Sequence, residues 1–214
     1  ADELNAQTIV DFGCGTGLLT CALATGSRKV FGVDPSPAML DFARRQPNAE
    51  RITWVQGYAA ALGSRDAVLL MMTGNVPQIF LIDDEWAAAL AAIWQTLRPG
   101  GTLAFESRNP KTKGWEQWVP EHSRYRFDSP HGLVESWLEL LEVGDGKVHF
   151  QAHNVFSETG EDIVVDSTLR FRSDEEIQAS LEQAGFSVEQ VYGGWQKEPF
   201  RSDSRPMVFI SQKR

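Results

Sequence analysis

Ile9-Val10-Asp11-Phe12-Gly13-Cys14-Gly15-Thr16-Gly17-Leu18-Leu19-Thr20 joins a β-branched run to a helical one through three glycines spaced two apart. A strand-turn-helix junction of this kind sets backbone amides at a helix N-terminus with no side chains to block a ligand. Asp34 ends the next apolar run, 21 residues after Gly13, where a carboxylate can accept hydrogen bonds from both hydroxyls of a ribose. Together the glycine loop and the acid describe a nucleoside pocket at the carboxyl edge of a sheet.

On either side of this junction, short β-branched runs alternate with helical patterns as far as about residue 110, the signature of βαβ units and a parallel sheet. Strands are predicted at Thr8–Phe12, Val30–Asp34, Ile52–Gln56, Ala67–Met72 and Thr102–Glu106. Ser36-Pro37 supplies an N-cap followed by proline at the first helical position, and Pro47 marks that helix's stop. Asp83 or Asp84 is expected to cap a helix whose Trp86, Leu90, Ile93 and Leu97 share one face, ended by Arg98-Pro99-Gly100-Gly101.

Beyond Pro110 the period changes. Three extended runs, about Leu133–Val143, Val148–Phe156 and Ile163–Phe171, are separated by Gly144-Asp145-Gly146 and Glu158-Thr159-Gly160, which predicts an antiparallel insertion. Ser173 with Glu176 then forms a capping box ahead of Ile177, Leu181 and Ala184, and Gly185 closes that helix. Two last strands, Ser187–Tyr192 and Met207–Ser211, bring the main sheet to seven. The expected organisation is a core of residues 1–110 and 173–214, with residues 111–172 as an antiparallel insertion or substrate cap.

The 214 residues include 42% hydrophobic and 23% charged side chains, the profile of an ordinary globular protein rather than a disordered chain. Twenty basic against 29 acidic side chains leave a net charge of −9, which disfavours nucleic acid and anionic membranes as partners. Cys14 and Cys21 lie in no metal-ligand or redox spacing, so both are expected to be reduced and non-catalytic. No signal peptide or membrane span is recognisable, and a cytoplasmic monomer or homodimer is expected.

The dinucleotide fingerprint G-x-G-x-x-G needs a glycine three residues after Gly15, where this chain has Leu18, so a dehydrogenase ranks last. The form actually present, Asp11-x-Gly13-x-Gly15-x-Gly17, resembles motif I of the class I S-adenosylmethionine-dependent methyltransferases. The resemblance extends over essentially the whole chain. It implies an α/β, Rossmann-like three-layer sandwich with a mostly parallel sheet of order 3-2-1-4-5-7-6 and the antiparallel insertion between strands 5 and 6. It further implies that S-adenosylmethionine is the cofactor, S-adenosylhomocysteine the product, and that no metal is needed.

Residue by residue, the resemblance assigns Asp11, Gly13, Cys14, Gly15 and Gly17 to the cofactor loop and Asp34 to the ribose. Pro35 adjoins that acid, and Met39 would pack on the adenine. Gly57, Tyr58 and Ala59 would hold the adenine edge. Most relatives carry Asp where this chain has Tyr58, which leaves the backbone amides of Tyr58 and Ala59 to serve. Met72 and Thr73 would border the methionine part. Leu97-Arg98-Pro99-Gly100-Gly101 matches a structural turn of the family that touches no ligand.

On the acceptor side the candidates are Asn75, Glu106, Arg108 and Trp195. Arg108 either holds an acceptor carboxylate or phosphate, or forms a loop salt bridge. Glu106 either caps a turn or acts as a base. The segment Met71–Gln78 has neither of the sequence patterns typical of DNA methyltransferases, so the expected acceptor is a small molecule, with a protein or RNA methyltransferase, or a silent cofactor-binding module, as alternatives. His149, Gln151 and His153 share a strand face, yet the two histidines would lie about 13 Å apart, too far for one metal ion. Trp115, Trp118, Tyr125 and Phe127, flanked by His122 and His131, either line an acceptor pocket or form the insertion's own core. Helices that often precede strand 1 in such enzymes have only about seven residues to occupy here, so the lid is expected to be absent, supplied by a partner, or missing from the chain.

Overall fold

The computed structural model describes residues 1–214. In chain order its regular elements are β1 (Thr8–Phe12), α1 (Leu18–Leu23), β2 (Lys29–Asp34), α2 (Pro37–Ala43), β3 (Ile52–Gln56), β4 (Ala67–Met72), α3 (Asp83–Thr96) and β5 (Leu97–Arg108). These are followed by α4 (Pro120–Ser123), β6 (Tyr125–Ser129), β7 (Gly132–Gly144), β8 (Lys147–Phe156), β9 (Asp162–Arg170), α5 (Asp174–Gln183), β10 (Phe186–Tyr192) and β11 (Pro206–Lys213). Short 3-10 turns link several of them, notably Val76–Ile79 after β4 and Pro110–Thr112 after β5.

The main sheet runs β3-β2-β1-β4-β5-β11-β10. Pairings from β3 to β5 are parallel, and β11 is antiparallel to both β5 and β10. This is the predicted order with the last pair renumbered. Alternation along the strands builds the two faces. Val10, Phe12, Leu70, Met72, Leu103, Phe105 and Phe209 pack with Trp86, Leu90 and Ile93 of α3 and with Ile177 and Leu181 of α5. Ile9, Val30, Leu69, Met71 and Ala104 face the other way, towards Ala6, Cys21, Ala24 and Ala49.

An aromatic ladder stiffens the first face. Phe12–Phe80, Phe80–Trp86, Trp86–Phe105 and Phe105–Phe209 have ring centroids 6.5, 5.6, 6.0 and 5.2 Å apart. Each fully buried ring of this kind removes enough apolar surface to contribute about 1.5–3 kcal/mol. The ladder runs from the strand that carries the glycine loop to the strand that carries Glu106 and Arg108, so it fixes the distance between the two halves of the site.

Several boundaries depart from expectation. Neither Asp83 nor Asp84 caps α3: Ile82 occupies the cap position without a side-chain bond, and Asp83, Asp84 and Glu85 fill the first turn, where carboxylates favour the helix dipole. The helix stops at Thr96, and Leu97 opens β5, whose pairing with β4 shifts register between Ala67 and Leu69. α2 ends at Ala43, before Pro47.

The segment between β5 and α5 forms a second sheet of four antiparallel strands, β6-β7-β8-β9, rather than three. Tyr125–Ser129 is its unforeseen edge. Both ends of this segment are bonded into the main body. Asn109, 1% exposed, donates from Nδ2 to the Ser202 and Ser204 carbonyls at 3.0 and 2.9 Å. At the other end Arg172 donates to Asp83 Oδ1 at 2.9 Å and to the Phe80 carbonyl at 3.0 Å. No helix is long and apolar enough to cross a membrane.

Candidate functional site

The glycine loop leaves β1 and doubles back over β2. Gly13 N and Cys14 N both donate to the Val33 carbonyl, at 2.8 and 3.1 Å, and Gly17 N donates to the Cys14 carbonyl at 3.0 Å. Gly15 N donates to Asp34 Oδ2 at 2.9 Å. Four of the loop's amides thus hold its own shape. The amides of Thr16, Leu18 and Leu19 have no acceptor in the chain, and these are the ones free to meet a ligand.

Two glycines of the loop serve different ends. At Gly17 (φ +74°) a Cβ would lie 2.6 Å from Trp54 Cη2 and 2.8 Å from Ala43 Cβ, so α2 and β3 press directly on the backbone. Gly15 (φ +52°) has nothing within 4 Å of its would-be Cβ. The space above Gly15 is open, and a nucleoside laid over the loop would use it.

Asp34 is 8% exposed and already accepts two bonds, Gly15 N on Oδ2 and Ser36 N on Oδ1 at 2.9 Å. These bonds aim the carboxylate along the edge of the sheet, and each oxygen keeps a second lone pair for a hydroxyl donor. Asp11 lies beneath the loop, 1% exposed, with Thr20 Oγ1 donating to its Oδ2 at 2.6 Å and its Oδ1 without any partner. Burial, aided by the nearby Asp34 charge and opposed by the Thr20 bond, pushes the Asp11 carboxyl up to about 6. Burial first, then the charges of Asp11 and Asp34, pushes the Cys14 thiol up to about 12, so it stays a thiol.

The other cofactor-side candidates separate into two groups. Gly57 N is taken by the Asp34 carbonyl at 3.1 Å, whereas the amides of Tyr58 and Ala59 have no acceptor in the chain. Tyr58 and Met39 are exposed side chains beside the loop, with Pro35 half-buried between β2 and α2. Met72 is not: its side chain is fully buried in the core under α3, so only its backbone can border a ligand. Thr73 follows it at the rim, half-buried.

Glu106 draws three of the acceptor-side candidates together. Its Oε1 accepts from Gly74 N and Asn75 N at 2.6 and 3.1 Å, and its Oε2 accepts from Trp195 Nε1 at 3.0 Å. Gly74 and Asn75 both have positive φ, +77° and +63°, a conformation that the carboxylate locks. Of the two roles left open for Glu106, the turn-holding one matches this geometry, with two loop amides on Oε1.

Arg108 forms no salt bridge, which corrects the loop ion pair offered as one of its two roles. Its Nη1 donates to Gln78 Oε1 at 2.8 Å, and its guanidinium carbon sits 5.4 Å from the Trp118 ring centroid. Gln78 is wholly buried, and its Nε2 donates to the Arg170 carbonyl at 3.4 Å. Trp118 in turn packs on Phe150 and Phe171 at 4.7 and 6.1 Å. Gln78 and Trp118 thus belong to the same cluster as Arg108. Gln78 carried no pattern that singled it out, and only its place three residues after Asn75, in the same turn, could have suggested it.

His149, Gln151 and His153 point to carboxylates on neighbouring strands. His149 Nε2 and Gln151 Nε2 reach Asp166 at 2.7 and 3.0 Å, and His153 Nδ1 reaches Asp162 at 2.7 Å. Trp115 packs edge-on to Phe171 at 4.7 Å, and Tyr125 stacks on Phe127 at 5.8 Å on the exposed edge strand β6. His122 and His131 are exposed and lie outside the cluster around Arg108.

Residues 9–101 match a family model described as a methyltransferase domain. The chain is 25% identical over 219 residues to the cypemycin N-terminal methyltransferase of a Streptomyces species, covering 98% of this chain and 84% of that protein. A solved S-adenosylmethionine-dependent methyltransferase from Clostridium acetobutylicum has the same architecture, with a TM-score of 0.84 at 16% identity over 99% of this chain and 87% of that one. An amino pentose methyltransferase from Micromonospora echinaspora, solved with its cofactor bound, aligns with a TM-score of 0.73 at 21% identity over 100% of this chain and 88% of that one. The chain spans less than two thirds of several curated relatives, between 23% and 60% of each.

Proposed function

We propose, from its similarity to S-adenosylmethionine-dependent methyltransferases of class I, that this chain transfers the cofactor's methyl group to a small-molecule acceptor held between the loop after β4, the end of β5 and the second sheet. The observation that carries the cofactor half of the reading is the Gly15–Asp34 bond, which closes the glycine loop onto an acid at the end of β2. The residues fit the cofactor. The open space over Gly15 and the spare lone pairs of Asp34 are complementary to a nucleoside, and the unpartnered Asp11 Oδ1 beneath the loop adds negative character there.

The sulfonium supplies a good leaving group, so the protein's contribution is placement. Asp34 would hold the ribose, the free amides of Tyr58 and Ala59 the adenine edge, and Met39 and Pro35 the adenine face. Glu106 would fix the loop at Gly74 and Asn75, which borders both ligands. Accepting from Gly74 N, Asn75 N and Trp195 Nε1, Glu106 would position this loop.

A small acceptor is supported by two features. The acceptor end is a cluster of aromatic rings around one guanidinium, not a basic groove, and the net charge of −9 opposes a polyanion. A neighbour described as an amino pentose methyltransferase acts on an acceptor of this kind. Calorimetric titration with S-adenosylmethionine, S-adenosylhomocysteine and NAD tests the cofactor, and NAD binding without the other two overturns it. Methyl transfer from labelled S-adenosylmethionine across a metabolite panel tests the acceptor class.

A further inference from the structure

A cation inside a protein is normally matched by a carboxylate, because leaving it unmatched in a poorly hydrated place is costly. Arg108 is half-buried at the end of β5, and although the Glu106 charge is felt there, no carboxylate pairs with it directly. No acidic side chain lies within ion-pairing distance of it. The carboxylate two residues away, Glu106, is turned to Gly74, Asn75 and Trp195 instead, which donate three hydrogen bonds to it.

What does hold Arg108 is neutral. The Gln78 side chain is completely buried and its orientation is set from behind, since its Nε2 donates to the Arg170 carbonyl and only Oε1 remains to face Arg108. Trp118 covers the guanidinium from the side of the second sheet. A neutral acceptor and an aromatic face orient a guanidinium without cancelling its charge. Four of its five N–H donors are not used by the chain, among them all three on Nε and Nη2. Those nitrogens form the edge that pairs with a planar carboxylate through two parallel bonds.

We propose that Arg108 is a specificity-determining residue that binds a carboxylate on the acceptor, so that the substrate class is a small carboxylic acid methylated at another atom or at the carboxylate itself. The proposal rests on the methyltransferase reading for the word acceptor, but the anion site stands on Arg108, Gln78 and Trp118 alone. One guanidinium without a second cation suits a singly charged group better than a phosphate. Lys111, the nearest lysine along the chain, is already occupied by Asp174 and Glu175 at 3.0 and 3.3 Å.

The test uses matched probes: benzoate, phenylacetate and indole-3-acetate, each against its neutral amide, with phenyl phosphate as a fourth anion. Binding is measured by titration with and without saturating S-adenosylhomocysteine, on the natural chain, Arg108→Gln and Arg108→Lys. At least one carboxylate is expected to bind about tenfold or more tighter than its amide, the scale of a charge-assisted hydrogen-bonded pair. Arg108→Gln should abolish that preference and Arg108→Lys retain part of it, with S-adenosylhomocysteine affinity and melting temperature reporting that each variant is folded. Equal binding of acid and amide in every pair, a preference that survives Arg108→Gln, or tighter binding of phenyl phosphate overturns the proposal. Failure of S-adenosylhomocysteine to bind overturns the methyltransferase reading instead, and the acid-to-amide ratio without it still decides the anion site.

Discussion

Trp195 donates its indole N–H to Glu106 Oε2 at 3.0 Å across 89 residues of sequence. The bond ties the β10–β11 connection to the end of β5, and through Glu106 Oε1 to the loop after β4. Trp195→Phe removes one donor from a carboxylate and is expected to cost about 1 kcal/mol in chemical denaturation. Glu106→Ala strands three donors and should cost about 2–4 kcal/mol, because unmade bonds to a charged group exceed the usual value. Equal, negligible losses would show that the loop holds its shape without the carboxylate.

Asp34→Ala should lower the affinity for S-adenosylhomocysteine by about ten- to a hundredfold. It removes the acceptor for Gly15 N and Ser36 N as well as the one offered to a ribose. Asp34→Asn keeps one acceptor oxygen and should fall between the two. An unchanged dissociation constant would mean that the acid only shapes the loop.

Alanine at Gly15 and at Gly17 should fail for different reasons. Gly17→Ala drives a methyl into Trp54 and Ala43 and is expected to lower the melting temperature severely. Gly15→Ala meets nothing within 4 Å, so it should fold with only about 1–2 kcal/mol of backbone strain from its left-handed conformation. Its methyl nevertheless projects into the space a nucleoside would use, and cofactor titration should show a folded protein that binds poorly.

Asp11 gives the stability an unusual dependence on pH. Its folded-state pKa of about 6 lies above the ordinary 3.8, so between those values the folded chain binds more protons than the unfolded one. By linkage its contribution to stability falls as pH rises through that window and stays reduced above it, by about 2–3 kcal/mol at full ionisation. Exposed carboxylates whose pKa values are lowered by lysine or arginine, such as Asp83 and Glu3, act in the opposite direction, so the comparison must be with Asp11→Asn. The stability difference between natural chain and variant should shift in the variant's favour from pH 4 to pH 7; a flat difference would show that the buried carboxyl titrates normally.

The alternation of β-branched runs made the main sheet legible because its strands are bounded by turn or cap residues and the central ones are buried on both faces, as the six buried residues of Ala67–Met72 show. Tyr125–Ser129 was illegible for the converse reason. It is a mostly exposed edge strand with mixed side chains, and its pairing with β7 is set by the second sheet rather than by its own pattern. Within the site, Asp34 and the glycines could be read from spacing, since strand ends fix their positions. The partnerships of Glu106 with Trp195 and of Arg108 with Gln78 could not, because each joins residues 30 or more apart and depends on how the loops fold over the sheet. Nor does spacing tell which loop amides are used internally, since strand β2 brings the Val33 carbonyl close enough to take two of them.

The bonds made by Asn109 and Arg172 where the second sheet joins the main body turn that sheet into a cantilever. The β7–β8 turn lies at its fixed end: Phe171 N donates to the Gly146 carbonyl at 2.7 Å, and Arg170 Nη1 donates to the Asp145 carbonyl at 3.2 Å. The opposite turn, Ser157–Gly160, is exposed and bonded only within its own sheet. Bending therefore grows with distance from the acceptor cluster, leaving Trp118 and Phe150 on the stiff portion. Added residues at Thr159 should pass unnoticed by stability and cofactor affinity alike, while the same addition at Asp145 should loosen the support on which Arg108 rests.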